Sequence, residues 1–265
     1  PDVIHAGEEA VFMARWLKMT RGVPYVYDMD SSIAQQMVEQ MGFLRPFAWF
    51  FDAFEGIGVK GAVACAPVCH ALADVAKKQG AKRQVTLHDI SQLDVDSLSP
   101  TGWLRKQEGI ADSSALVVYC GNLQTYQGVD LLIDGMKEAL AGGADVDAVI
   151  AGGEESQIEA YRAKASALGI GDRVHLIGRW PAARLGELLI EADILTAPRT
   201  KGVNTPQKVF PYLHTGRAVL VTDLPTHSQI LTQDVCRLAP ADPVGFGRAI
   251  AELAGDEALL SLIHI

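Results

Sequence analysis

The sequence contains few cysteines and no cluster of basic residues, and both absences narrow the class of protein. Only two of its four cysteines, Cys65 and Cys69, are close together. Because that spacing lacks the second Cys or His pair of a zinc site, we interpret all four as free thiols and expect no metal and no other cofactor. The net charge is −9 and no basic run is present, which argues against a nucleic-acid partner.

Long apolar runs and a secretory leader are missing as well. No stretch reaches the roughly 18 apolar residues of a membrane-spanning helix, so we expect a cytoplasmic protein whose membrane contact, if any, is peripheral. The chain opens inside an apparent strand at 2–5 and closes at 261–265 without a cap or turn signal. These ends predict a truncated protein whose last residues do not belong to the fold.

Short apolar runs alternate with amphipathic segments in the second half of the chain. A continuous apolar run is typical of a parallel strand that is buried on both faces, and the segments between these runs have helical periodicity. The pattern therefore predicts a doubly wound α/β domain. The predicted strands are 115–120, 148–151, 174–177, 193–196 and 218–221.

The first half shows the same alternation less regularly. Strands are predicted at 2–5, 25–27, 62–65 and 84–87, with helices at about 8–20, 31–40, 46–60 and 67–79. A segment rich in Asp, Ser and Gly then separates the two halves. We predict a partial first domain over 1–100, a linker over 101–114 and a second domain over 115–260.

The segment 43–54 is unusually aromatic. Phe43, Phe47, Phe50 and Phe54 recur at helical spacing and form one stripe. The stripe belongs either to a core or interdomain face, or to a contact with a membrane surface or partner. Trp49 lies off the stripe and favours a surface contact, whereas the lack of a Lys-rich polar face disfavours a lipid-binding helix.

Two polar, Gly-rich loops are candidates for a phosphate site. Ligands of an open doubly wound sheet bind where strand order reverses, so the loops 121–128 and 198–206 should meet there. Thr205 can cap the helix that follows and Pro206 fits its first position, so backbone N–H groups and the helix dipole should face an anion. Arg199 and Lys208 add positive charge nearby.

Other strand ends supply further candidates. Gly152 and Gly153 allow close backbone approach after the second strand of this domain, and Gly178 and Arg179 follow the third. The fingerprint Gly-x-Gly-x-x-Gly is missing after every predicted strand, which argues against a nicotinamide dinucleotide.

In the first half, His5 and Asp28 follow two of the predicted strands. An imidazole and a carboxylate at strand ends suit hydroxyl recognition and proton transfer, and we predict them as catalytic candidates. The alternative is that both are ordinary loop residues whose hydrogen bonds are satisfied locally.

At this point the sequence resembles a known family. The segments 119–123 and 126–132 are similar to the first βα unit of the donor domain in family 4 (group 1) glycosyltransferases. The segments 204–210 and 212–225 resemble the second signature of that family, and 25–32 looks like its acceptor-side half.

The resemblance implies the GT-B fold, with two Rossmann-like doubly wound domains of which the first is incomplete here. It implies metal-independent transfer of a sugar, with retention, from a UDP- or GDP-linked donor to an acceptor hydroxyl on a sugar, a lipid or a protein-linked glycan. The donor would lie in the second domain. The donor-binding candidates are Gly121, Asn122, Gln127, Gly152, Gly153, Gly178, Arg179, Arg199, Asn204, Thr205 and Lys208.

The sequence also departs from the family pattern. Asn122 and Gln127 stand where many members carry the Arg and Lys that hold the diphosphate, and Val203 and Pro211 stand where many carry glutamates. We therefore expect Arg199, Lys208 and the helix start to bind the diphosphate. A sugar-nucleotide epimerase and a degenerate, non-catalytic nucleotide-sugar-binding protein remain alternatives, and the shortened first half leaves open that this chain is inactive by itself.

Overall fold

The structure is a computed structural model that describes residues 1–95 and 97–256, and the side chains of 39 and 40 are not among the described parts. It divides into two compact units. The first comprises Pro1–Asp89 with Val203–Thr205, and the second comprises the remaining residues from Ile90 onward. Residues 257–260 of the predicted second domain, and the last residues 261–265, lie outside the described part. Both units are α/β with parallel sheets, which confirms the predicted fold class.

The first unit contains a three-stranded parallel sheet in the order β1-β2-β3. On β2, Tyr25, Tyr27 and Met29 alternate with less buried residues and form the centre of its core. The strands are β1 (Ile4–Gly7), β2 (Tyr25–Met29) and β3 (Ala64–Pro67). The helices are α1 (Ala10–Arg21), α2 (Ile33–Gln40), α3 (Ala48–Gly61) and α4 (His70–Lys78), with a 3-10 segment at Gly42–Phe47.

The predicted strand 84–87 is wrong as a strand of this sheet. The segment runs beside β3, where the backbone N–H of Val85 donates to Cys65 O and that of Leu87 to Pro67 O, but it makes only one isolated bridge. Val85 and Leu87 are exposed. Their apolar alternation has the pattern of a half-buried strand, although both side chains are exposed among the described residues.

The second unit contains a six-stranded parallel sheet in the order β6-β5-β4-β7-β8-β9. The strands are β4 (Ala115–Cys120), β5 (Val146–Ala151), β6 (Val174–Gly178), β7 (Ile194–Ala197), β8 (Ala218–Thr222) and β9 (Arg237–Ala239). The helices are α5 (Trp103–Glu108), α6 (Val129–Ala141), α7 (Glu155–Ala167), α8 (Leu185–Leu189), α9 (Val209–His214), α10 (Pro225–Ser228) and α11 (Pro243–Gly255). The central strands are buried on both faces, as continuous apolar runs predict.

Strand order reverses between β4 and β7, because the chain builds outward from β4 through β5 to β6 and then returns to the other side of β4. Within the predicted linker 101–114, α5 packs on this unit through the fully buried Leu104. Arg105 also donates from Nη2 to Asp193 Oδ2 at 2.5 Å. The structured part of the second unit thus begins before β4.

Candidate functional site

The loops that follow β4 and β7 meet at the switch point, as expected. The backbone N–H of Thr200 donates to Tyr126 O at 2.9 Å, and the Arg199 guanidinium lies 5.1 Å from the centre of the Tyr126 ring. Gly128 has φ +77°, and a Cβ there would overlap the carbonyl oxygen of Pro198. Only glycine allows this approach of the two loops.

Lys208 places a partly buried cation beside the loop after β4. Its Nζ donates to Tyr119 Oη at 3.0 Å and to Gln127 Oε1 at 3.1 Å, and it lies 4.1 Å from the centre of the Tyr119 ring. A Cβ at Gly121 would overlap the same Nζ. Burial lowers the pKa of Lys208 to about 7, so its charge responds to its surroundings near neutral pH.

The helix after the second loop begins later than predicted, and this corrects the role of Thr205. The helix α9 starts at Val209, whose N–H donates to Pro206 O, so Pro206 is not the first helical residue. Thr205 Oγ1 is buried and has no hydrogen-bond partner among the described residues, so it does not cap the helix. Pro211 falls in the first turn, where no intrahelical N–H bond is lost.

This short helix is a weak anion site, because only its six residues align their dipoles. The positive charge at the switch point therefore rests on Lys208 and Arg199. Asn204 is partly buried and precedes α9 by several residues.

A cavity of about 640 Å³ lies at the carboxyl ends of β4, β5 and β6. A Cβ at Gly152 would overlap the carbonyl oxygen of Gly121, so glycine allows the loops after β4 and β5 to approach each other this closely. Arg179 pairs with Glu154 on the cavity wall. Five of the predicted donor residues line it, namely Gly121, Asn122, Gly152, Gly153 and Arg179, together with Cys120, Gln124, Ala151, Glu154, Ser156, Gln157 and Trp180.

Two other predicted donor residues of the second unit, Gly178 and Gln127, are connected to this edge of the sheet without lining the cavity. Gly178 ends β6 immediately before Arg179, and Gln127 joins the site through its bond to Lys208. Trp180 stacks on Trp103 with ring centres 5.2 Å apart, and its Nε1 donates to Arg184 O. These contacts give Trp180 a packing role.

Sequence reasoning missed a buried polar group behind Arg199. Thr222 Oγ1 donates to Arg199 O at 2.5 Å, and His227 Nδ1 lies 2.9 Å from Thr222 O. Burial lowers the pKa of His227 to about 4, so its imidazole is neutral beside the guanidinium. The only sequence signal was a Thr and a His that flank the Pro225 helix start.

In the first unit, His5 and Asp28 come together at the ends of neighbouring strands. His5 Nε2 lies 3.1 Å from Asp28 Oδ2, and the His5 side chain is exposed. Burial raises the pKa of Asp30, and the charges of Asp28 and Asp89 raise it further. This edge of the sheet therefore presents an imidazole among carboxylates, which suits binding of hydroxyl groups.

Within 1–95 and 97–256, no group of three or more His, Cys, Asp or Glu residues is arranged to hold a metal ion. Over the same residues, no helix combines the length and apolar character needed to cross a membrane.

Comparison with known proteins shows the family. The model of the family described as "Glycosyl transferases group 1" matches residues 114–256, more than half of the chain. No curated protein sequence matches significantly. Many solved structures share the fold at low sequence identity, and the following three cover nearly all of this chain.

HepE of Anabaena, solved in complex with UDP, has a TM-score of 0.83 and 18% identity over 99% of this chain and 71% of its own. Sucrose-phosphate synthase from Thermosynechococcus elongatus has a TM-score of 0.76 and 15% identity over 99% of this chain and 66% of its own. WaaG, a glycosyltransferase involved in lipopolysaccharide biosynthesis, has a TM-score of 0.70 and 16% identity over 94% of this chain and 73% of its own. The chain belongs to the group 1 glycosyl transferases, enzymes of GT-B fold, as its motifs predicted.

Proposed function

We propose that this protein transfers a sugar, with retention at the anomeric carbon, from a UDP- or GDP-linked donor to an acceptor hydroxyl. The observation that carries the proposal is the position of the Lys208 side chain. Its Nζ lies against Gly121, which also lines the 640 Å³ cavity at the switch point. A partly buried cation beside an open backbone edge suits the diphosphate of such a donor.

Lys208 also accounts for the departure at Gln127. The resemblance places a diphosphate-binding Lys of the family at the Gln127 position, and here the Gln127 amide oxygen accepts a hydrogen bond from Lys208. The positive charge thus comes from the second loop and reaches the same place. Lys208 and Arg199 would stabilise the negative charge that develops on the departing diphosphate.

The nucleoside is proposed to occupy the cavity toward Gly178 and Arg179. The cavity wall offers backbone groups there and the Arg179–Glu154 pair. UDP is the first nucleotide to test, because HepE was solved with UDP and with UDP-glucose. The first unit is proposed to bind the acceptor, with His5 and Asp28 contacting its hydroxyl groups.

Calorimetric titration with UDP, GDP and ADP tests the donor site. Lys208→Met should weaken nucleotide affinity by about tenfold or more, because it removes a charge-assisted contact to the diphosphate. Lys201→Met is the matched control, since Lys201 lies in the same loop with an exposed side chain, and it should leave affinity within about twofold. Absence of binding by all three nucleotides at millimolar concentration would show that no donor site exists.

Incubation with a UDP-sugar separates the alternatives. Transfer to an added acceptor, with the anomeric configuration of the donor retained in the product by NMR, supports the proposal. An epimerised sugar in the absence of acceptor would instead identify a sugar-nucleotide epimerase. Nucleotide binding without either product would identify a non-catalytic binding protein.

A further inference from the structure

The helix α3 is built with its small residues inside and its large ones outside. Gly58 and Gly61 face the core of the first unit, where a Cβ at Gly58 would crowd Val11 and one at Gly61 would overlap Tyr25 and Arg15. The outward positions carry Trp49, Phe50, Phe54 and Ile57, all of them exposed. Val59 and Glu55 are buried as well, but the core of this unit does not use the aromatic side chains of α3.

The exposed side chains form one continuous surface with α1. Phe12 of α1 stacks on Phe54 at 4.4 Å between ring centres, Phe54 stacks on Phe50 at 6.5 Å, and Phe50 meets Trp49 edge to face at 6.2 Å. We call this surface the aromatic face. Ring contacts join Phe12, Trp49, Phe50 and Phe54. We include in it the other exposed apolar residues of the same elements, namely Met13, Trp16, Met19, Phe43, Phe47 and Ile57.

Several members of the aromatic face are strongly exposed. Trp49 and Phe43 are 70% and 74% exposed, and Met13 and Trp16 are 71% and 62% exposed. These values correct the interpretation of the aromatic stripe as core. Single exposed apolar residues are normal, but a contiguous aromatic surface of this kind marks an interaction site.

The charge around the aromatic face has the opposite sign to that of the whole chain. The elements that carry it, residues 10–21 and 42–61, contain five basic and two acidic residues, a balance of +3 in a chain of net charge −9. Of the two acids, Glu55 is buried and Asp52 accepts a hydrogen bond from Gln79. Of the basic residues, Arg21, Arg45 and Lys60 are exposed, whereas Arg15 packs against Gly61 and Lys18 donates from Nζ to Gly61 O. With the exposed Asp52, the exposed residues of these elements keep a balance of +2.

We propose that the aromatic face docks on the surface of an anionic lipid bilayer. Tryptophan and phenylalanine insert at the level of the headgroups, and flanking Arg and Lys attract acidic lipids. A second copy of the chain fits less well, because two identical faces with a positive balance would repel each other. The docking is peripheral and independent of the donor site.

Flotation with phosphatidylcholine vesicles, with and without phosphatidylserine, tests the proposal on the full chain. Binding should require phosphatidylserine. Arg45→Glu and Lys60→Glu each change the charge of the surface by two units. Vesicle binding should weaken by about fivefold per unit of charge, which corresponds to about 1 kcal/mol per cation near such a surface. The double variant Trp49→Ser/Phe50→Ser should abolish binding. It removes only exposed side chains, so circular dichroism and UDP affinity should be unchanged.

A matched control uses apolar residues exposed elsewhere in the same unit. Val85→Ser/Leu87→Ser removes two such side chains outside the aromatic face and should leave vesicle binding intact. Three results would overturn the proposal. The first is equal binding to neutral and anionic vesicles, and the second is unchanged vesicle binding by the Trp49/Phe50 double variant. The third is a wild-type protein that does not bind vesicles but self-associates in analytical ultracentrifugation, with the double variant remaining monomeric.

Discussion

The ionisation of Lys208 should make donor binding depend on pH. Burial lowers the pKa of its ammonium group to about 7, so the free site loses its charge as pH rises through that value. A bound diphosphate favours the charged form, so binding takes up a proton above pH 7. UDP affinity should then fall by up to about tenfold per pH unit above pH 7. Calorimetry between pH 6 and pH 9, from about one unit below that pKa to about two units above it, would measure this fall.

The Lys208→Met variant is the control, because its UDP affinity still reflects the protonation of UDP itself but no longer that of Lys208. Its affinity should be lower than wild type at pH 6.5 and nearly flat above pH 7, about where the lysine titrates in the wild type. The difference between the two profiles therefore isolates Lys208. Parallel profiles for the two proteins would show that Lys208 does not contact the diphosphate.

Residue identity alone revealed only part of this site. The sequence showed Lys208 as one of several basic residues in a loop, and it showed Gln127 as the loss of a family lysine. Their hydrogen bond, and the burial that shifts the lysine pKa, depend on the packing of Tyr119 from a strand about 90 residues earlier. Such a pairing requires long-range contacts that no local spacing encodes.

At the scale of elements, α2 and α3 are joined by one buried carboxylate. Glu55 of α3 accepts from Ser32 Oγ at 2.7 Å and from the backbone N–H of Ile33 at 2.9 Å, at the start of α2. It also accepts from Gln79 Nε2 at 2.9 Å. A carboxylate at a helix N-terminus is favourable, and here it satisfies donors that have no access to water.

Glu55→Ala should therefore destabilise the first unit by about 3 kcal/mol, because it leaves several buried donors without an acceptor. Urea denaturation followed by circular dichroism measures the change. Asp52→Ala is the control, since Asp52 is exposed and accepts a bond from Gln79, and it should cost less than about 1 kcal/mol. Equal losses in the two variants would contradict this role of Glu55.

Elements differed in how well the sequence predicted them, and burial explains why. The strands β4, β5 and β8 are buried on both faces, so their continuous apolar runs were unambiguous. The strand β9 has three residues and was not predicted, because so short an edge strand has no periodicity. The segment 84–87 had the pattern of a strand but lacks the layer that would bury it.

Helix starts were the least predictable feature of the candidate site. Thr205 and Pro206 are the residue types that begin helices, yet the helix starts at Val209. Thr205 is buried and turned away from capping, so tertiary packing overrides the local preference. The meeting of the two loops at the switch point was predictable, because it follows from strand order.

At the scale of the whole molecule, a donor nucleotide should stabilise the two units differently. Apart from Asn204 and Thr205, every predicted donor residue belongs to the second unit. A ligand at about 100 times its Kd adds about 2.7 kcal/mol to the state that binds it. UDP should therefore slow hydrogen exchange in the globally protected amides of β4 and β5.

The amides of β2 in the first unit serve as the internal control. Tyr27 is fully buried there, and its exchange reports the stability of the first unit alone. With UDP, exchange in β4 and β5 should slow in proportion to ligand concentration over Kd, while exchange at Tyr27 stays constant. Protection of β2 without protection of β4 and β5 would move the nucleotide site to the first unit and contradict the role of Lys208.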